Sequence, residues 1–178
     1  MEGKRPSRTT ETTQNSKEQL GSSGSVEGCD NDNVLQVIYT NADSLTNKRD
    51  DLLLFLNSLD FKPSIIIITE VNSKVFCKML ESEFYIVDYN IYSTNVGTTM
   101  GRGIIVYVHV SLVACQLHIS TSFQEGLLVK IKQKEKHILT VGAFYRSPSS
   151  SLINDAYLFE LLDSLMKSTV GEVLIVGD

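Results

Sequence analysis

The sequence predicts a layered α/β sandwich, and three observations carry that prediction. The chain opens on a strand, helix and strand, continues through consecutive strands joined by turn-rich loops, and returns through one more helix to a last strand. Nothing repeats at a period of roughly 20–50 residues, which argues against a solenoid.

Val34 to Thr40 is β-branched or aromatic and mostly apolar, the composition of a strand, and Asn41-Ala42-Asp43-Ser44 after it is turn chemistry. Asn47 is placed to cap a helix with Asp50 and Asp51 in its first turn and Leu52, Phe55, Leu56 and Leu59 at helical spacing. Pro63 ends that pattern. Ile65-Ile66-Ile67-Ile68 then reads as a strand buried on both faces, closing in Thr69-Glu70. These lengths make a β-α-β unit, so the first two strands are expected to be parallel. A short amphipathic stretch follows, with Val75, Phe76, Met79 and Leu80 on one face. Strands are then expected over Phe84–Tyr92, Gly103–Val110, Leu112–Ile119, Leu127–Lys132 and Ile138–Tyr145, with turns at Thr94–Gly97 and Gly101–Gly103. Such hairpin connections predict a partly antiparallel sheet. Ser151 to Met166 has the apolar spacing of a helix through Leu152, Tyr157, Leu158, Leu161, Leu162 and Leu165. The last strand runs from Glu172 into Gly177-Asp178.

Residues 1–33 differ from all of this. They are dominated by Ser, Thr, Gly, Asn, Gln and charged residues, with Leu20 and Val26 the sole aliphatic side chains after the initiator. Such a segment buries too little apolar surface to offset its ordering entropy, so a disordered tail (1–33) and a folded part (34–178) are expected. The tail lacks the apolar core of a secretory signal, and no stretch of the chain approaches eighteen uninterrupted apolar residues, so no membrane partner is expected. Cys29, Cys77 and Cys115 are widely spaced and form no C-x-x-C, which fits bystander thiols in a reducing, intracellular compartment, cytoplasmic or nuclear. The formal net charge is −5, so bulk charge does not announce a nucleic-acid binder. A cluster of acids built to hold a cation would itself lower the charge, so mild acidity does not exclude one.

Polar groups stand where buried strands end: Asn41 after the first, Glu70 after the second, Asp178 after the last, and Tyr145 with Arg146 after a fourth. In α/β sheets the carboxyl ends of strands are where ligands bind. Taken singly, each has an ordinary reading as a turn former, a first solvated residue or a helix cap. In the Gly177-Asp178 ending, the glycine is expected to leave room for a ligand beside the acid.

Tyr39–Leu45 with Lys48, Ile65–Glu70, Gly101-Arg102-Gly103-Ile104, Phe144–Pro148 and Leu174–Asp178, in that order, resemble the endonuclease/exonuclease/phosphatase superfamily. Within it they are most similar to the apurinic-type endonuclease domain of non-LTR (LINE-like) retrotransposons. The resemblance implies a four-layer αββα, DNase I-like sandwich that hydrolyses phosphodiesters with Mg²⁺ or Mn²⁺. It implies contact with the DNA backbone and, in a full-length parent, a reverse transcriptase domain. By the same resemblance Glu70 is a metal ligand, Asn41 orients a phosphate or a catalytic neighbour, and Tyr145 supports the scissile phosphate. Arg146 binds a phosphate oxygen, and Asp178 positions or deprotonates the attacking water. Asp43 matches a second acidic ligand of the repair-type enzymes, with an Asx turn as the competing reading. The reaction calls for these types because an anionic phosphodiester repels hydroxide until a cation neutralises it and a base prepares the nucleophile.

The resemblance also implies a Phe-Asn after Gly-Asp and a later Asp-His pair, which this sequence does not contain. The expectation is therefore an incomplete, N-terminal portion of the domain, inactive by itself, with half the sandwich lacking its pairing sheet. Two alternatives stand beside it: a phosphomonoesterase of the same fold acting on inositol phosphates or lipids, and a non-enzymatic relic. His109, His118 and His137 match no catalytic position and read as structural. Lys130, Lys132, Lys134 and Lys136 alternate along a hairpin and read as a solvated face.

Overall fold

The computed structural model describes residues 34–74, 80–133 and 137–178. The expected tail, Val75, Phe76, Met79, Cys29, Cys77, Lys134 and Lys136 lie outside the described residues.

Among the described residues, eight strands form two four-stranded sheets. The first has the order β1 (Val37–Asn41), β2 (Ile65–Thr69), β4 (Ile104–His109), β3 (Tyr89–Thr94). The second runs β5 (Val113–Leu117), β6 (Gly126–Lys132), β7 (Ile138–Phe144), β8 (Glu172–Gly177). β1 pairs with β2 in parallel, as the β-α-β spacing predicts, and β7 pairs with β8 in parallel; all other pairings are antiparallel. Helix α1 (Arg49–Ser58) joins the first parallel pair and α2 (Leu152–Ser168) joins the second.

Strand alternation assigns the faces. Ile65 and Ile67 of β2 and Val106 and Val108 of β4 meet Leu127, Val129 and Ile131 of β6 and Val141 and Ala143 of β7 in a core between the sheets. Ile66, Ile68, Ile105 and Tyr107 point the other way and pack with Leu52 and Leu56 of α1. Leu128 and Phe144 meet Leu161 and Leu165 of α2. The layers are thus helix, sheet, sheet, helix. The expected half-sandwich without a pairing sheet is incorrect, because the chain supplies both sheets and the core between them. Among the described residues β1, β3, β5 and β8 are edge strands, and Val37 and Tyr39 on β1 are correspondingly 37% and 38% exposed.

Local departures from the sequence reading have simple causes. Asn47 does not cap α1: it ends a 3-10 turn (Leu45–Asn47), and Lys48 takes the cap position without a side-chain bond, its Nζ donating instead to the Ala42 carbonyl at 2.6 Å. Phe84 closes a second 3-10 turn (Glu81–Phe84), so β3 starts at Tyr89, not at Phe84. That turn is held by the Tyr107 hydroxyl, which donates to the Phe84 carbonyl at 2.6 Å, and burial raises that phenol far above its ordinary range. At α2, Ser151, read as the first helical residue, is instead the cap, accepting from the Asn154 amide at 3.2 Å, and Leu152, read as apolar-face, is 87% exposed in the first turn. No helix among the described residues is long and apolar enough to cross a membrane.

Candidate active site

The carboxyl ends of the two parallel strand pairs come together, one pair from each sheet. Asn41 closes β1 opposite Thr69, and Glu70 follows with a left-handed φ of 53°, which turns its side chain out of the β2 pleat. The backbone after β1 stays tied to the backbone after β2, through Ala42 N to Thr69 O at 2.9 Å and Ser44 N to Glu70 O at 2.8 Å. In the other sheet the Phe144 and Gly177 ends pair, and Arg146 N donates to Asp178 O at 2.8 Å.

Asn41 joins the two ends. Its Nδ2 donates to Glu70 Oε1 at 2.7 Å and also to Asp178 Oδ2. Its Oδ1 accepts from the Asp43 amide at 3.0 Å, so an Asx turn is present here, but Asn41 rather than Asp43 makes it. The Asp43 carboxylate takes the Arg102 guanidinium at 2.7 Å and Lys74 at 3.3 Å, and the bond to Arg102, then that to Lys74, holds its carboxyl below the usual range. Arg102 Nη2 also lies 2.8 Å from Glu70 Oε2. Both Glu70 oxygens are therefore engaged, one by an amide and one by a guanidinium.

Tyr145 is buried beside this cluster. Burial raises its phenol, with Glu70 adding to the effect and Arg102 opposing it, so the group stays neutral and able to donate at physiological pH. Glu125 accepts from the Arg102 amide at 3.2 Å, and burial pushes its carboxyl up. A cleft of about 490 Å³ opens beside Arg102, Glu125 and Tyr145, lined also by Lys74, Thr98 and Ser147, while Asn41, Asp43, Glu70 and Asp178 are not among its lining residues.

The structure thus brings Asn41, Glu70, Asp178, Tyr145 and Asp43 to one end of the sandwich. Arg146 belongs to the same strand end, but its guanidinium grips Asp155 of α2 through two bonds of 2.8 Å, a clamp between β7 and the helix. The sequence reading missed Arg102 and Glu125 as site groups; the Gly101-Arg102-Gly103 turn was the available signal for the first. His109 and His137 lie at strand ends opposite the site, at the far ends of β4 and β7. Cys115 is exposed.

Gly177 does not leave room for a ligand. A Cβ there would sit 2.5 Å from the Phe144 carbonyl oxygen, so the glycine is needed for β8 to close onto β7. Gly177→Ala is expected to cost about 1–3 kcal/mol in a urea titration by forcing that pair apart. An unchanged midpoint would show that the strand end yields without cost.

Hard oxygen donors of this kind suit Mg²⁺ or Mn²⁺. Among the described residues no group of three or more His, Cys, Asp or Glu is spaced as a ready-made cation site, and the gap between Asp43 and Glu70 is filled by Arg102. The donor chemistry fits a divalent ion, on condition that the guanidinium gives way.

No family model matches this sequence, and no curated protein is similar to it. Solved structures are. The endonuclease domain of TRAS1, a telomere-specific non-LTR retrotransposon, superposes with a TM-score of 0.57 at 13% identity over 82% of this chain and 58% of that one. The AP endonuclease LMAP of Leishmania major gives 0.59 at 12% over 81% and 54%. The human Nocturnin catalytic domain, solved with a bound sulfate anion, gives 0.54 at 9% over 81% and 63%. The chain has the endonuclease/exonuclease/phosphatase fold that these structures share, and it spans little more than half the length of each.

Proposed function

We propose that this chain carries the strand-end groups of a metal-dependent phosphodiester hydrolase, and within that class of a DNA-nicking endonuclease of the retrotransposon kind. One observation carries the reading. An amide on β1 bonds two carboxylates drawn from different sheets, Glu70 and Asp178, beside a buried neutral phenol. A structural ion-pair network has no need of that convergence at the carboxyl ends of two parallel pairs, where α/β folds bind ligands. The ordered motifs from Tyr39 to Asp178 and the likeness to a retrotransposon endonuclease domain favour the nuclease over the phosphomonoesterase.

In this reading Glu70, with Asp43, would hold Mg²⁺ or Mn²⁺, which supplies positive charge to a phosphate oxygen. Tyr145 donates from its neutral hydroxyl to a second phosphate oxygen. Asn41 fixes the tilt of both carboxylates, and Asp178 orients water. Arg146 reaches phosphate only on leaving Asp155, so its first role is to fix the start of α2. Turnover by these groups alone is not expected. Asp178 is committed to the Asn41 amide, and no histidine of the described residues lies among them to take a proton.

The test is supercoiled plasmid with Mg²⁺ or Mn²⁺. From this portion by itself no nicking above a metal-free control is expected; nicked circles that accumulate with metal and drop about 100-fold or more in Glu70→Ala would overturn the expected inactivity while supporting the role given to Glu70. Equal nicking by both proteins would refute the assignment.

A further inference from the structure

Arg102 sits between the two acids that the proposed function treats as metal ligands, and its placement has a consequence of its own. The side chain is 16% exposed and the Glu70 side chain 13%. Three anchors define its position: its amide donates to Glu125 Oε1 at 3.2 Å, its Nε to the Asn72 carbonyl at 3.2 Å, and its Nη2 to Asp43 Oδ1 at 2.7 Å and Glu70 Oε2 at 2.8 Å. A Cβ on Gly101 would fall 2.5 Å from the same Glu125 oxygen, so Glu125 packs directly against the turn that aims Arg102.

A guanidinium does not lose its proton under any working condition, so this position carries a permanent positive charge. The oxygen lone pairs it takes are the ones a hard cation would need. A divalent ion and a guanidinium cannot both take the same two carboxylate oxygens, and their mutual repulsion is strongest on the Glu70 side, because the Asp43 side chain is 51% exposed and water screens it there.

Resting on the reading of Asp43 and Glu70 as cation ligands, we propose that Arg102 is a built-in competitor for the metal. Its guanidinium occupies the cation position, keeps the two acids at bridging distance while no metal is present, and is displaced when a divalent ion binds. Lys74, 3.3 Å from Asp43 but 72% exposed, adds to the competition only weakly.

A structural ion pair and a competitor predict opposite signs. If Arg102 merely organises the acids, its removal loosens them and metal affinity falls. If it competes, its removal raises affinity. Mn²⁺ titrated into the 178-residue chain, with free ion read by electron paramagnetic resonance, separates the two. The proteins are the wild type, Arg102→Met, Arg102→Gln, and each of these with Glu70→Gln. Arg102→Met keeps the stem and removes the charge; Arg102→Gln keeps a donor for the Asn72 carbonyl and serves if the first variant fails to fold by circular dichroism. The expected result is Mn²⁺ binding about tenfold tighter or more in either Arg102 variant, abolished by Glu70→Gln, with a larger Mn²⁺-induced rise in melting temperature than in the wild type.

Unchanged or weaker binding in the Arg102 variants, with Glu70-dependent binding in the wild type, overturns the competition and leaves the metal reading standing. Binding that survives Glu70→Gln, or no binding by any of the proteins, overturns both.

Discussion

Ile67→Ala is expected to lower the unfolding free energy by about 2–5 kcal/mol, among the largest effects available to a single substitution in this chain. Ile67 is fully buried at the middle of β2, between Tyr39 of β1 and Val106 of β4 in the ladder, and faces the second sheet. Truncation removes three methyl or methylene groups from a place where two sheets press together. Neither can settle inward without dragging its own hydrogen-bonded neighbours, so the cavity persists. Ile67→Val, which removes one methylene, should cost only about 0.5–1.5 kcal/mol. Urea titrations of the three proteins give the comparison. If Ile67→Ala unfolds within 1 kcal/mol of the wild type, the two sheets are not packed face to face at this point. Because Glu70 stands three residues on, the same substitution tests whether the sandwich core holds the site in place.

That prediction uses what was most legible in the sequence. Four consecutive isoleucines have no polar face to present to water, so the strand had to be covered on both sides, and all four are fully buried. The same logic placed Asn41, Glu70, Tyr145 and Asp178 at strand ends, because an apolar run that stops at a polar residue marks its own boundary. What the runs do not encode is which strand lies beside which. The strands from Phe84 to Tyr145 read as a hairpin-connected run, yet only Val110–Leu112 separates β4 from β5, and the chain changes sheets there. Nor does alternation reveal that β4, not β3, inserts beside β2. That choice carries the Gly101–Gly103 turn to Glu70 and makes Arg102 a site residue. The Asn47 cap failed for a more local reason. Asn41 turns the chain first, and the backbone bonds from Ser44 and Leu45 to the Glu70 and Val71 carbonyls just past β2 draw residues 45–47 into a 3-10 turn before the α-helix can begin.

Asn72 was equally invisible, since its neighbours in sequence give no hint of its partners. It is 5% exposed, and its Nδ2 donates to the carbonyls of Asn95 at 2.7 Å, Gly101 at 2.9 Å and Thr98 at 3.4 Å, while its Oδ1 accepts from Gly97 N at 2.9 Å. One buried amide thus ties down the loop that carries Arg102. Asn72→Asp keeps the shape and turns the donor into an acceptor aimed at three carbonyl oxygens. The expected cost is about 3–5 kcal/mol at neutral pH, because a buried charge is left without a donor where one was required. Asn72→Ala, which removes the bonds without adding charge, should cost about 1–3 kcal/mol. The pH dependence has a definite sign. Burial among carbonyls raises the folded-state pKa of the introduced carboxyl above its unfolded value, so the folded form holds the proton more tightly. The deficit of Asn72→Asp against the wild type is therefore smallest below the unfolded-state carboxyl range and grows as pH rises through the folded-state value. Urea midpoints at acid and neutral pH measure this, and a deficit that stayed constant across that span would mean the side chain had swung out to water. Amide hydrogen exchange across residues 95–103 should quicken in Asn72→Asp, and with it the bond from Arg102 to Glu70 should loosen, because the loop and the acidic pair hang from the same buried asparagine.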